Sequence, residues 1–182
     1  MMRTYIVLLR GINVSGQKKI KMEDLRRTLE NIGLNDVTTY IQSGNIVFNS
    51  DLMEIDVIEN TIHDAILNDF AFEVPTLVVT GDGIKQILGE NPFVNEADEN
   101  QLYFVLLKQH PKQELVDGLN EQHFPDEDFH ITPACVYLRC KKGYGNAKLN
   151  NNLIERKLKV EATTRNLKTM QKLLEMTSQG KI

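Results

Sequence analysis

Val37–Phe48, VTTYIQSGNIVF, carries the strongest indication of a fold in this chain. Its two ends, Val37–Ile41 and Ile46–Phe48, are rich in β-branched and aromatic residues, which are typical of strands. Between them, Ser43-Gly44-Asn45 favours a tight turn, because glycine and asparagine tolerate a positive φ. The stretch therefore predicts a β-hairpin.

A strand and a helix are predicted on each side of this hairpin. Before it, the apolar run Tyr5–Leu9 predicts a buried strand, and Lys21–Ile32 carries apolar residues at helical spacing. After it, Ile55–Phe70 predicts a second helix and Val74–Thr80 predicts a further strand. The resulting order, β-α-β-β-α-β, is that of a ferredoxin-like unit.

The second half of the chain partly repeats this order. Its predicted elements are a strand, a helix, two strands, a helix, a short extended segment and a final helix, at Leu102–Leu107, Pro111–Leu119, Phe129–Thr132, Cys135–Cys140, Ala147–Leu158, Val160–Thr163 and Asn166–Met176. We therefore predict an α+β fold of two ferredoxin-like units, duplicated and packed together. The first unit covers residues 1–81, a linker with a short helix covers 82–100, and the second unit with the C-terminal helices covers 101–182.

The composition indicates a globular protein, with 41% hydrophobic and 25% charged residues. No apolar run approaches the roughly 18 residues of a membrane span, and the first apolar run is too short for a signal peptide. We therefore predict a cytoplasmic protein with no membrane partner. The 2 cysteines, Cys135 and Cys140, are too few for a disulfide framework, and their odd spacing places them on opposite faces of one strand.

Charge is distributed unevenly along the chain. The net charge is +3 over residues 1–50, −15 over 51–130 and +8 over 131–182, which gives −4 in total. If the two basic ends meet in the fold, they form one positive face that favours an anionic ligand. The alternative is that these charges only cover solvated surfaces.

Two glycine-containing loops precede basic segments. Gly11–Lys18 has the glycine spacing of a P-loop, but Gln17 stands where that motif needs lysine, so the sequence does not predict a Walker-type nucleotidase. The loop is either an anion-binding nest or a solvated basic loop. Gly143–Lys148 is predicted to place Lys148 in the first turn of the next helix, where a cation opposes the helix dipole. Lys148 then either pairs with an anion or is a plain exposed lysine.

Two arginines are further candidates for holding an anion, because a guanidinium binds phosphate or carboxylate with two parallel hydrogen bonds. Arg10 follows the first strand, and Arg165 is predicted in the first turn of the last helix, where Thr163–Asn166 supplies the N-cap. Either arginine could instead pair with an acidic side chain of the middle segment. At the hairpin turn, Gln42 and Ser43 could bond neighbouring groups or a ligand.

The sequence predicts neither a metal site nor a cofactor. His123 and His130 flank the acidic segment Pro125–Asp128, but their spacing matches no metal-binding signature. A solvated acidic loop is the favoured interpretation of this segment.

Three polar motifs carry a resemblance to a known family. Leu8–Val14, Tyr40–Asn45 and Thr163–Asn166 resemble the bacterial family called domain of unknown function 1697, and the resemblance runs over nearly the whole chain. Family members commonly have glycine at the position of Ser15 and an aromatic residue at that of Leu167. The resemblance implies a duplicated ferredoxin-like fold and a cytoplasmic bacterial protein, and it implies no activity. It maps the family's motif residues onto a candidate ligand site of Arg10, Asn13, Lys21, Gln42, Ser43, Asn45, Lys148, Arg165 and Asn166.

The leading functional hypothesis is a cleft between the two units that binds a phosphorylated or otherwise anionic small molecule. Three cations would hold the anion and three amides would read its polar groups, namely Arg10, Lys148, Arg165, Asn13, Gln42 and Asn45. Nucleic-acid binding through a broad basic face is a second hypothesis. An enzyme is a third, although the motifs contain no histidine or carboxylate that could act as a general base. In a fourth, the motifs form a buried polar network with a structural role.

Overall fold

The computed structural model describes residues 2–95 and 98–178, and this part of the chain contains eight β-strands and six α-helices. The strands form two four-stranded antiparallel sheets, and each sheet has helices between its strands. The predicted α+β class and the two ferredoxin-like units are thereby confirmed.

The first sheet has the strand order β2-β3-β1-β4. Its strands and the two helices between them are β1 (Arg3–Leu9), α1 (Met22–Asn31), β2 (Asn35–Tyr40), β3 (Asn45–Ser50), α2 (Ile55–Phe70) and β4 (Thr76–Thr80). Both edges of β1 are paired, because β3 and β4 lie on its two sides. The central position explains why β1 is apolar along most of its length.

The first hydrophobic core lies between one face of this sheet and the two helices. Tyr5 stacks on Phe48 across the β1–β3 pair, with ring centroids 5.8 Å apart. The helices contribute the residues that the sequence places at helical spacing, Leu25, Leu29, Ile58, Ile62 and Ile66. Each such side chain contributes about 1.5–3 kcal/mol when fully buried, so this face supplies much of the stability of the first unit.

The hairpin between β2 and β3 is confirmed, with Tyr40 paired to Asn45 across its base. Gly44 is packed directly against the end of β1. Its carbonyl accepts a hydrogen bond from the Leu9 N–H at 2.8 Å, and its φ is +80°. A Cβ at Gly44 would lie 2.6 Å from the Leu9 Cβ, so only glycine allows the turn to approach β1 this closely.

The second sheet has the corresponding strand order, β6-β7-β5-β8. Its strands and helices are β5 (Leu102–Leu107), α4 (Gln113–Asn120), β6 (Glu127–Ile131), β7 (Cys135–Cys140), α5 (Asn151–Leu158) and β8 (Ala162–Asn166). As in the first sheet, the first strand of the unit is central and pairs with the third and fourth strands. The duplication predicted from element order is therefore present in the topology.

Two further helices are α3 (Gly81–Gly89) and α6 (Leu167–Ser178). By its contacts the chain divides into two compact units, and the division falls within each of these helices. The first unit includes the chain up to Lys85 and again from Lys172, and the second unit is Gln86–Gln171. The segment predicted as a linker, residues 82–100, contains most of α3 and the start of a 3-10 turn at Glu99–Gln101.

Both cysteines are buried in the second sheet. Cys140 packs in one hydrophobic core with Val136 and Leu138, and Cys135 lies on the other face of β7, as its spacing predicts. Burial raises the pKa of both thiols, that of Cys140 to about 12. Neither thiol is therefore a reactive thiolate at neutral pH.

Candidate functional site

The loop after β1 is tightly coiled, and its conformation follows from its glycine and polar residues. Five of its residues have a positive φ, namely Gly11, Asn13, Ser15, Gly16 and Lys18. The Asn13 N–H donates to the Lys18 carbonyl at 3.1 Å, and the Gln17 N–H donates to the Val14 carbonyl at 2.9 Å. These bonds close a compact turn of backbone between β1 and α1.

Asn13 fastens this loop to the hairpin. Its side-chain Nδ2 donates to the carbonyls of Ile20 and Gln42, both at 2.9 Å, and its Oδ1 accepts from the Ile20 N–H at 2.9 Å. One amide thus joins both ends of the loop to the turn after β2. The amide of Asn13 thus bonds to the protein's own backbone, and a ligand contact of this residue stays a prediction.

The polar residues of the hairpin divide into supporting and exposed ones. Asn45 is fully buried, and its Nδ2 donates to the Tyr40 carbonyl at 3.1 Å and to the Ser43 Oγ at 2.9 Å. These bonds hold the turn. Ser43 is half-buried, and a ligand contact of Ser43 or Asn45 stays a prediction. Gln42 is exposed and lines the adjacent groove.

An open groove of about 640 Å³ lies in the first unit, where the two loops meet α1 and the end of α2. Its lining residues are Asn13, Gly16, Lys19, Ile20, Lys21, Asp24, Gln42 and Phe70. Three of the nine predicted site residues are among them. Its volume is in the range of small-molecule sites, which is about 300–1,000 Å³.

Two lysines dominate the electrostatics of the groove. Lys19 and Lys21 are exposed on either side of the buried Ile20, and neither ammonium bonds to a protein acceptor within the part of the chain that the structure describes. Lys21 is also the N-cap residue of α1, and its side chain makes no capping bond. Its position adds a side-chain cation to the partial positive charge of the helix N-terminus.

Asp24 introduces a negative charge into the same groove. Its Oδ1 pairs with the Arg27 guanidinium at 2.7 Å, one turn along α1. The groove therefore contains an excess of cationic groups together with one carboxylate, which is a hydrogen-bond acceptor for any ligand donor.

Lys18 and His63 lie outside the groove and make contacts of their own. The Lys18 ammonium donates to the backbone carbonyl of Glu73. The His63 imidazole bonds to the carboxylates of Asp64 and Glu73, and these bonds raise the pKa of His63 above its ordinary value of 6.5. The two acidic neighbours thus favour the charged form of the imidazole.

The bonds of His63 to Asp64 and Glu73 predict a pH-dependent contribution to the stability of the fold. A histidine with a raised folded pKa stabilises the fold fully below its unfolded pKa of about 6.5, and the contribution is lost as pH rises through the folded value. His63→Gln should therefore lower the melting temperature most near pH 5 and least near pH 8. His110→Gln, at an exposed histidine, is the control. A loss that is equal at both pH values would contradict the assignment.

Arg165 is in β8 and not in the first turn of the last helix, so that prediction is wrong. The strand continues to Asn166 because it pairs with β5, with Arg165 opposite Phe104. Arg165 is buried, and its Nη1 donates to the Thr163 Oγ1 at 2.8 Å and the Thr164 carbonyl at 2.9 Å. Burial lowers the pKa of its guanidinium to about 10. Asn166 caps α6, since its Oδ1 accepts from the Thr169 N–H at 2.9 Å.

Lys148 precedes α5 instead of lying in its first turn, so this prediction is also wrong. The helix begins at Asn151, and its cap is Asn150, whose Oδ1 accepts from the Leu153 N–H. After a 3-10 turn at Tyr144–Asn146, residues 147–150 are non-helical, because the Lys148 N–H donates to the Glu127 Oε1 at 2.9 Å and Leu149 is fully buried. The Lys148 side chain is exposed.

The nine predicted residues fall into two groups. Six of them belong to the first unit and three to the second, namely Lys148, Arg165 and Asn166. In the first unit, Arg10 follows β1, is half-buried and donates its N–H to the Pro75 carbonyl at 3.0 Å. The structure brings Asn13, Lys21 and Gln42 together around the groove. That all nine share one cleft stays a prediction.

The groove also contains residues that the sequence did not single out as site residues, chiefly Phe70 and Asp24. Within residues 2–95 and 98–178, no three His, Cys, Asp or Glu side chains are grouped as a metal ion requires. No helix in these same ranges has the length and apolarity needed to cross a membrane.

Comparisons with known proteins agree with this architecture. No curated protein matches the chain. A solved structure, that of the conserved bacterial protein SP0830 from Streptococcus pneumoniae, has a TM-score of 0.77 and 23% sequence identity, over 97% of this chain and 99% of that one. At this identity the likeness shows a shared fold. The family described as "Protein of unknown function (DUF1697)" matches residues 2–137, and the chain therefore belongs to that family.

Proposed function

We propose that the groove of the first unit binds the phosphate or other anionic group of a small molecule. The observation that carries this proposal is the position of Lys19 and Lys21. Both line one open groove, and neither ammonium is neutralised by an acceptor in the described part of the chain. Two ammonium groups beside a helix N-terminus favour an anion.

The loop geometry supports this proposal because it fixes the groove before any ligand arrives. Asn13 closes the loop of Lys19 through two hydrogen bonds to Ile20 and joins it to the turn of Gln42 through a third. A site that is already ordered loses less conformational entropy on binding. The Asn13 amide thus has a structural role that serves the proposed ligand site.

A small molecule fits this site better than a nucleic acid does. Lys18 is engaged by the Glu73 carbonyl, and Asp24 places a carboxylate inside the groove, so the local positive charge is confined. A nucleic acid would need a longer row of cations along its phosphates. We also propose a cytoplasmic, bacterial protein, which its 2 free and buried cysteines support.

The test is a thermal-shift and calorimetry series at low salt, with phosphorylated small molecules and short oligonucleotides. We expect a phosphorylated small molecule to stabilise the protein, by about 2.7 kcal/mol at a hundred times its dissociation constant. Lys19→Ala combined with Lys21→Ala should weaken that binding at least about tenfold, since two charge-assisted contacts are lost.

The chain offers a matched control outside the groove, with one lysine in each unit. Lys112 is the N-cap residue of α4 and, like Lys21 in α1, makes no side-chain capping bond. Lys85→Ala combined with Lys112→Ala removes the same charge outside the groove and should leave binding unchanged. Equal binding by the groove variant, or stabilisation by oligonucleotides alone, would refute the proposal.

A further inference from the structure

The groove has an aromatic wall as well as cations. Phe70 is the last residue of α2, is half-buried and packs partly against the first hydrophobic core. Its ring lies 6.3 Å from that of Phe72 at an interplanar angle of 32°. These contacts fix the ring in place. An ordered aromatic ring on a groove wall offers a surface on which a flat heterocycle can stack.

Asp24 and Gln42 indicate what else the ligand carries. A carboxylate repels a ligand that is only an anion, and it favours one with hydroxyl or amino donors. One oxygen of Asp24 pairs with Arg27, so the other carboxylate oxygen can accept such a donor. The exposed Gln42 side chain can both donate and accept.

We infer that the ligand of this groove is a nucleoside monophosphate. This inference rests on the proposed function, because the phosphate is the anion held by Lys19 and Lys21. The base lies against Phe70, and the ribose hydroxyls or base amino groups donate to Asp24. Inorganic phosphate has neither the base nor the ribose, and a sugar phosphate has no base that could lie against Phe70. The volume of about 640 Å³ is within the usual range for a ligand of this size.

The experiment is isothermal titration calorimetry with the full chain and four kinds of probe. These are the four common nucleoside monophosphates, ribose 5-phosphate, adenosine and inorganic phosphate. We expect at least one nucleoside monophosphate to bind about tenfold or more tightly than ribose 5-phosphate, because stacking on an aromatic ring favours each base. Adenosine and phosphate should each bind more weakly than the combined ligand.

Substitutions then assign the parts of the ligand to residues. Phe70→Leu should bring nucleoside monophosphate affinity down to that of ribose 5-phosphate and leave ribose 5-phosphate binding unchanged. Phe129→Leu is the matched control, since Phe129 is also a half-buried phenylalanine that packs partly against a core, and it lies in the second unit, outside the groove. Asp24→Asn, at a half-buried residue that does not belong to the core, should strengthen binding of inorganic phosphate and reduce the preference for the nucleoside form.

The outcomes separate this inference from the proposed function. If ribose 5-phosphate and all nucleoside monophosphates bind equally, and binding still depends on Lys19 and Lys21, the nucleoside inference is overturned and the anion site stands. If no phosphorylated probe binds in a way that depends on these lysines, both fall. A nucleoside preference that is unchanged in Phe70→Leu and Asp24→Asn would also overturn the inference.

Discussion

Gly44→Ala should destabilise the protein by about 2–5 kcal/mol. A left-handed backbone costs a residue with a Cβ roughly 1–2 kcal/mol, and overpacking a filled site costs about 1–3 kcal/mol more. Both terms apply, because Gly44 has a φ of +80° and an added Cβ would lie 2.6 Å from the Leu9 Cβ and 3.0 Å from the Ile12 Cδ1. Neither neighbour can move freely, since both are buried in the first core. Urea unfolding followed by circular dichroism would measure the loss.

Gly33→Ala is the control for the backbone term. Gly33 has a φ of +90°, and an added Cβ would meet no atom within 4 Å. We expect this variant to lose only about 1–2 kcal/mol, the cost of the left-handed conformation. The difference between the two variants measures the close contact between the hairpin and β1. If both variants lost the same free energy, the hairpin would not be packed against β1 as described.

The second large effect is expected at Asn13. Asn13→Ala removes three hydrogen bonds, and each contributes about 0.5–1.5 kcal/mol net, so we expect a loss of about 2–4 kcal/mol. The new alanine also has to keep a φ of 54°. Asn13→Gly removes the bonds and leaves the backbone unstrained, so it should lose less than the alanine variant. Chemical denaturation of the three proteins gives the two contributions separately.

Asn13→Asp tests the direction of these hydrogen bonds. The aspartate keeps the oxygen that accepts from the Ile20 N–H, but it replaces the amide donor that faces the carbonyls of Ile20 and Gln42. An acceptor opposite two acceptors is repulsive, so this variant should be less stable than Asn13→Gly above the carboxyl pKa. Its deficit should diminish in acid, where the protonated carboxyl regains a donor. A stable Asn13→Asp variant at neutral pH would show that the amide bonds do not hold the loop.

Most of the fold could be predicted because local patterns and pairing agree. The glycine turn of the hairpin, the apolar run of β1 and the helical spacing in α2 each have one stable solution. The positions predicted for Arg165 and Lys148 are wrong, because at these residues the local sequence pattern and the contacts in the fold disagree. Thr163 and Thr164 are good capping residues, yet in the fold they belong to β8, because pairing with β5 satisfies their backbone groups. A single sequence does not show whether Thr163 and Thr164 cap a helix or pair with a neighbouring strand.

The candidate site could be predicted only in part. Asn13 and Gln42 stand in polar motifs and Lys21 begins a predicted helix, and all three line the groove. Phe70 could not be recognised, because an aromatic residue on the apolar face of a helix has the same pattern as a core residue. Asn45 has the opposite difficulty, since a buried amide and a ligand-reading amide look identical in sequence. Only the surroundings of each side chain distinguish these roles.

Because both thiols lie in the second unit, the opening of that unit can be measured separately from that of the first. The chain has 2 cysteines, both are buried in β7, and the first unit has none. A thiol-specific reagent can therefore modify the native protein only when the second sheet opens, and the rate of modification reports that opening. The groove lies in the first unit, so a fluorophore on a cysteine introduced near it would be the only label at an exposed thiol. The modification rate of the two cysteines thus measures how often the second sheet opens. Because both are buried, they do not compete with an introduced cysteine for the label.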